Sequence, residues 1–156
     1  MTWLLRRAGV DDLDAIMAIE QTTFATDAWS SELMRAELRN DHTYYLVAQG
    51  AAVEGYAGLL APVGAGQADI QTIAVVESAR GQGLGRALMN ALLSEARTRG
   101  ADEVFLEVRA DNPGAQHLYT SLGFEQIDVR KNYYQPDGVD AIIMRLTLPA
   151  PTVVTA

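Results

Sequence analysis

The chain has 156 residues, a formal charge of −8 and a pI near 4.6, an acidic balance that argues against sequence-independent nucleic-acid binding. Hydrophobic residues make up 49% and charged residues 21%, which is too apolar for a disordered chain, enough for one domain with a real core, and without the roughly 18–20-residue apolar run of a membrane span. Cysteine is absent and the only histidines are His42 and His117, which excludes disulfides, cysteine nucleophiles, thiolate metal sites and three-histidine metal sites.

Residues 2–7 predict a short strand whose charges follow its apolar part, the reverse of a secretion signal, so a cytoplasmic protein is expected. Residues 11–24 predict a helix capped by Asp11 or Asp12, with Leu13, Ile16, Met17, Glu20 and Phe24 at helical spacing. Ser30 is placed to cap a second helix that runs to Arg39. Strands follow at 43–49, 53–63 and 67–76, the last two joined by Gly64-Ala65-Gly66. A polar, glycine-dense loop at 77–85 leads into a helix carrying Leu84, Leu88, Ala91, Leu92 and Ala96 on one face and closed by Gly100. Residues 102–109 read as a strand. Asn112 and Pro113 open a short helix that Leu122 and Gly123 end. Strands at 124–134 and 139–148 flank the turn Gln135-Pro136-Asp137-Gly138. The order β-α-α-β-β-β-α-β-α-β-β implies a mixed sheet with helices on both faces, one α/β domain over 1–148 and a loose tail over 149–156.

The sharpest local signal is Arg80-Gly81-Gln82-Gly83-Leu84-Gly85, three alternating glycines between a strand and a helix. Glycine permits positive φ and close approach of a ligand, and the free N–H groups of a helix's first turn suit a pyrophosphate. A dinucleotide fingerprint fails, because its third glycine position holds Arg86. A phosphate loop fails because the only lysine, Lys131, is followed by Asn132. A plain strand-to-helix connection is the bland alternative.

Downstream, Glu107 lies between Leu106 and Val108, which should face the other way. Two readings stand for it: a general base with its pKa raised by partial burial, or an edge-strand carboxylate paired with Arg109. Tyr119 is either a half-buried aromatic or a general acid for a leaving thiolate. Asn112 is at least a helix cap. His117 reads as a surface or cap residue, His42 as a loop residue, and no metal site is expected.

The pattern Arg/Gln-x-x-Gly-x-Gly/Ala, filled by Arg80, Gly83 and Gly85, resembles the pyrophosphate loop of the GCN5-related N-acetyltransferase (GNAT) family, whose co-substrate is acetyl-coenzyme A. The preceding stretch Ile70-Gln71-Thr72-Ile73-Ala74-Val75 is similar to that family's cofactor strand. The resemblance implies a GNAT fold with a mostly antiparallel mixed sheet. It implies that Arg80, Gly81, Gln82, Gly83, Leu84, Gly85 and Arg86 cradle the pyrophosphate. Backbone groups of Ile73, Ala74 and Val75 would hold the pantetheine arm and polarise the thioester.

Glu107-Val108-Arg109, Asn112, Leu118-Tyr119, Leu122-Gly123-Phe124, Arg130-Lys131-Asn132-Tyr133-Tyr134 and Asp140-Ala141-Ile142-Ile143-Met144 resemble the RimI group of that family. Enzymes of that group acetylate the N-terminal alanine of a small-subunit ribosomal protein. The resemblance implies Glu107 as base, Tyr119 as acid and Asn112 as a cofactor contact, in a direct transfer without a covalent enzyme intermediate. Tyr133 and Tyr134 either wall the alanine slot or pack as an ordinary hairpin. Where the group often has Pro-Trp-Ser, this chain has Ala28-Trp29-Ser30; that region shapes the acceptor groove, which makes Trp29 a substrate-binding candidate and leaves the peptide preference open. The partner implied is a protein N-terminus, with neither nucleic acid nor membrane involved. Two other functions compete: a lysine or small-amine acetyltransferase, and a non-catalytic acyl-CoA-binding module, which would need neither Glu107 nor Tyr119.

Overall fold

The computed structural model describes residues 2–149 and 154–155; most of the tail expected over 149–156 lies outside them. Seven strands form one sheet: β1 (Leu4–Arg7), β2 (Thr43–Gln49), β3 (Val53–Leu60), β4 (Gln67–Val75), β5 (Glu103–Arg109), β6 (Glu125–Tyr134) and β7 (Val139–Thr147). Four helices accompany them: α1 (Leu13–Phe24), α2 (Ser31–Arg39), α3 (Leu84–Thr98) and α4 (Pro113–Ser121). The spatial strand order is β1-β2-β3-β4-β5-β7-β6. Every pairing is antiparallel except β4 with β5, and that parallel step needs the crossover that α3 supplies.

Helices cover both faces, as expected. On one face α3 buries Leu84, Leu88, Met89, Leu92, Leu93 and Ala96 against Leu46, Ala57, Leu59, Ile70, Val104 and Leu106. A fully buried leucine of this kind contributes roughly 1.5–3 kcal/mol. On the other face α1 and α2 bring Leu13, Ile16, Met17, Ile19 and Met34 against Tyr45, Val47, Tyr56 and Ala74. Glu20 is the charged exception there, 1% exposed. Its carboxylate accepts hydrogen bonds from the Trp29 N–H at 3.0 Å and from the Tyr56 hydroxyl, so this buried charge holds the loop between α1 and α2.

Local signals explain most boundaries. Ser30 accepts from the Leu33 N–H at 3.1 Å and Asn112 from the Ala115 N–H at 3.2 Å, so both cap their helices as expected. Asp12 does not cap α1 with its side chain. A 3-10 turn over Val10–Asp12 precedes that helix, and the Asp12 carboxylate instead accepts from the Gly9 N–H and from both terminal nitrogens of Arg6. β3 stops at Leu60, short of the expected 63, because Pro62 has no N–H to donate to a ladder. The loop at 77–85 contains a 3-10 turn over Glu77–Ala79.

Two features of β4 shape the site. First, the register with β3 shifts, so that Gly58 faces Thr72 while Leu59 faces Ile70, and Gln71 is the extra residue of a bulge. Gly58 is required here, because a Cβ on it would lie 2.2 Å from the Tyr45 ring. The Tyr45 ring crosses over it, and its hydroxyl donates to Gln71 Oε1 at 2.7 Å. Second, β4 and β5 pair only from Gln67 to Asp69 and from Glu103 to Phe105. Beyond Asp69 the β5-facing edge of β4 has no strand partner among the described residues, and the sheet forks.

Candidate active site

At the fork lies an open cleft of about 730 Å³. From β4 and β5 it is lined by Asp69, Gln71 and Glu107, and from the loop after α1 by Asp27 and Trp29. The third wall is the β6–β7 hairpin, with Arg130, Tyr133 and Tyr134. Four residues singled out from sequence, Glu107, Trp29, Tyr133 and Tyr134, therefore share one cavity.

Strand alternation puts Glu107 there. Val104, Leu106 and Val108 enter the core beneath α3, so Glu107 points to the opposite face. It is not fully buried: its side chain is 34% exposed. Nor does it sit on an edge strand or pair with Arg109, because β5 is flanked by β4 and β7. Its partner is Arg130, at 3.2 Å. Arg130 also stacks over the Tyr133 ring, 5.5 Å from its centroid, and the charge of Glu107 raises the Tyr133 hydroxyl above its usual range. Tyr133 and Tyr134 meet edge to face with centroids 5.1 Å apart. Burial first, then the Glu107 charge, push the Tyr134 hydroxyl up to about 12.

Arg109, which sequence reading could only weigh as a partner for Glu107, has a different task. Its guanidinium pairs with Asp27, with Asp111 at 3.0 Å and with Asp137 at 3.0 Å, and lies 5.1 Å from the centroid of the Tyr134 ring. One side chain thus ties the α1–α2 loop to the β6–β7 hairpin. Asp69, Gln71, Asp27 and Arg130 are among the cleft residues that sequence reading gave no role. For Asp69 a signal existed: it is the polar member between the apolar Ala68 and Ile70.

Tyr119 is not in this cleft. It sits on α4, 7% exposed, in the core beneath α3, and meets Phe124 edge-on with centroids 6.1 Å apart. Burial pushes its hydroxyl up to about 12, so the phenol keeps its proton at neutral pH. Glu107 and Tyr119 thus lie on opposite faces of the sheet.

The glycine loop is separate again and opens the α3 side. Gly81 (φ +73°) and Gly83 (φ +84°) are left-handed, and a Cβ on either would meet nothing within 4 Å. Gly83 is the N-cap of α3 and offers no side chain to the first-turn N–H groups, which leaves those donors free for an anion. Gln82, Gly83 and Leu84 line a groove of about 160 Å³ with Trp3 and Leu5. The Arg80 Nε donates to the Val75 carbonyl at 2.9 Å, and Arg86 reaches the Ser121 hydroxyl at 2.6 Å. These two side chains brace the loop. Open space, free donors and an unpaired strand edge leading to the fork fit a pyrophosphate joined to an extended arm. Ile73, Ala74 and Val75 lie along that edge. Asn112 spends its side-chain oxygen on the cap of α4. His42 and His117 are exposed.

Residues 13–124 match the acetyltransferase (GNAT) family. The chain is 38% identical over 122 residues to the N-alpha-acetyltransferase RimI of Mycobacterium tuberculosis, covering 76% of this chain and 75% of that protein. It is 37% identical over 139 residues to the [ribosomal protein bS18]-alanine N-acetyltransferase of Escherichia coli, covering 88% and 92%. The crystal structure of the ribosomal-protein-S18-alanine N-acetyltransferase from Escherichia coli superposes with a TM-score of 0.84 at 33% identity, over 99% of this chain and all of the other. The loop, the fork and these relatives lead to one conclusion: the chain belongs to the GNAT family, in its RimI-type branch, and is an acetyl-CoA-dependent N-acetyltransferase.

Proposed function

We propose that the protein transfers an acetyl group to the α-amine of an N-terminal alanine on a small-subunit ribosomal protein, in the cytoplasm. The observation that carries this reading is the convergence of Glu107, Trp29, Tyr133 and Tyr134 on one cleft at the end of the unpaired β4 edge. The RimI-type relatives support the choice of acceptor. Among the described residues no helix is long and apolar enough to cross a membrane.

The two faces of the fork divide the work. On the α3 side, the N–H groups of residues 83–86 and the bracing Arg80 and Arg86 hold the pyrophosphate. Asn112 orders the start of α4 beside it. The free backbone edge of Ile73, Ala74 and Val75 aligns the pantetheine arm, and an N–H there steadies the negative charge that develops on the acetyl oxygen. Acetyl-CoA, when bound, supplies the activated thioester. On the other side Trp29, Tyr133 and Tyr134 wall a slot for a small first residue. A peptide α-amine has a reference pKa of about 7.7–8.0, so a carboxylate suffices to take its proton. Glu107 takes it, directly or through one water, as the amine attacks. Tyr119 donates its phenolic hydrogen to the sulfur as the thiolate leaves.

The test is mass spectrometry of three acceptors incubated with protein and acetyl-CoA: a lysine-free peptide with a free N-terminal alanine, an N-blocked peptide with internal lysines, and spermidine. Acetylation of the alanine peptide alone is expected, and Glu107→Gln should lower its turnover by roughly 10²–10⁴-fold without weakening acetyl-CoA binding. Product on the lysine peptide or spermidine instead would overturn the acceptor. Binding of acetyl-CoA with no product on any acceptor would favour a non-catalytic role.

A further inference from the structure

The cleft holds three carboxylates, and two of them are already neutralised. Asp27 is paired with Arg109, and Glu107 with Arg130 at 3.2 Å. Asp69 has neither an ion pair nor a side-chain hydrogen bond among the described residues. Its position is fixed by the last rung of the parallel ladder, where it stands beside Phe105. Ala68 and Ile70 enter the core on the α3 side, so Asp69 projects to the face that carries Glu107, one pleat short of it. Burial, and after it the charge of Glu107, raise the Asp69 carboxyl above its ordinary range. A negative charge held there has no counter-ion among the described residues.

We propose that Asp69 is the carboxylate that receives the incoming amine in its ammonium form, leaving Glu107 to take the proton. This inference rests on the reading of the cleft as the acceptor site. An α-amine with a reference pKa of about 7.7–8.0 is mostly cationic at pH 7, so the acceptor arrives carrying a charge. Leaving that charge in the cleft without a partner would cost binding free energy. Glu107 alone is poorly suited to both tasks, because Arg130 already occupies one side of it. With Asp69 as anchor, the amine is presented at the fork, next to Glu107 and facing the free edge of β4. Asp69 therefore discriminates between acceptors by charge, while the aromatic walls discriminate by size.

The experiment is equilibrium binding of two peptides to the CoA-loaded protein. One begins with alanine. The other is identical except that a propionyl group replaces the alanine residue, so that it keeps the methyl-bearing shape and lacks the amine. The wild-type protein is expected to prefer the alanine peptide by about tenfold, the size of one charge-assisted contact. Asp69→Asn and Asp69→Ser should reduce that preference to about twofold or less, with the propionyl peptide bound as in the wild type. Glu107→Gln should retain the preference. A preference that survives both Asp69 variants overturns the proposal, as does one lost equally in Glu107→Gln. If the wild type neither binds nor acetylates an alanine peptide, the acceptor reading itself falls, and this inference falls with it.

Discussion

The guanidinium of Arg109, on β5, reaches the carboxylate of Asp27, a residue 82 positions earlier in the loop after α1. The same group holds Asp137 in the β6–β7 turn, so two walls of the cleft share one tether. The pairs with the exposed Asp111 and Asp137 are worth about 0–1 kcal/mol each, but Asp27 is 15% exposed, and leaving its carboxylate unpaired makes Arg109→Ala cost more than an exposed pair would. The cleft should also loosen. The expected result is a rise of roughly tenfold in the KM for peptide with acetyl-CoA affinity unchanged. Lysine, which has no fork of donors, should restore only part of it. A peptide KM equal to wild type in Arg109→Ala would remove the tether from substrate binding.

Tyr119 lies in the core, so Tyr119→Phe preserves its packing against Phe124 and should leave the melting temperature nearly unchanged. Turnover should fall by roughly 10²-fold or more if the phenol protonates the leaving sulfur. Steady-state kinetics beside a thermal melt separates the two effects. Full activity in the phenylalanine variant would make Tyr119 a packing residue only.

At Gly83 the left-handed backbone decides the outcome. A Cβ there would meet nothing within 4 Å, so the cost at that atom is conformational, of order 1–2 kcal/mol. Relaxation of that strain moves the first-turn N–H groups of α3. Gly83→Val should therefore weaken acetyl-CoA by an order of magnitude or more, as read by calorimetry. An unaltered Kd would undo the assignment of the loop.

Asp12 links stability to pH. Arg6 donates two hydrogen bonds to its carboxylate, at 2.8 and 3.0 Å, and these hold the carboxyl below the usual range. The folded protein prefers the ionised form more strongly than the unfolded chain does. The contribution is therefore complete above the unfolded value of about 3.9 and fades as pH falls from there through the lowered folded value. Asp12→Asn should lower the melting temperature at pH 7 and narrow the gap to wild type as the pH drops below 4. A gap that stays constant across this range would contradict the linkage.

Sequence reading found the elements because their signals are local. Ser30 and Asn112 mark helix starts through hydrogen bonds made within three residues, and Pro113 through a fixed φ that suits the first helical position. The glycines at 81 and 83 announce a backbone that few other residues adopt. The cleft was legible by its motif residues, Glu107 and the tyrosine pair, since those lie on strands whose alternation can be counted. What stayed hidden depends on pairing between distant segments. The bulge at Gln71 exists only through the register with Gly58 and Leu59 on β3. The partners of Arg109 lie on two loops remote from each other in sequence, and nothing in the local pattern of Glu107 predicts Arg130. How far Glu107 is covered was hidden for the same reason: β4, its neighbour in the sheet, diverges just before reaching it.

That divergence also has a mechanical side. Among the described residues, strands β1–β4 are joined to strands β5–β7 by three rungs, from Gln67 to Asp69, extended at one end by the Gly66 carbonyl, which accepts from the Asp102 and Glu103 N–H groups. The amides of β4 that face β5 beyond Asp69 have no ladder to break, so they should exchange with solvent deuterium without any opening of the sheet. The three rungs themselves form a short seam between two longer ladders, where sub-global opening should begin. A molecule lying across the seam would close it, and slower exchange at residues 67–75 would record that closure before any chemistry takes place.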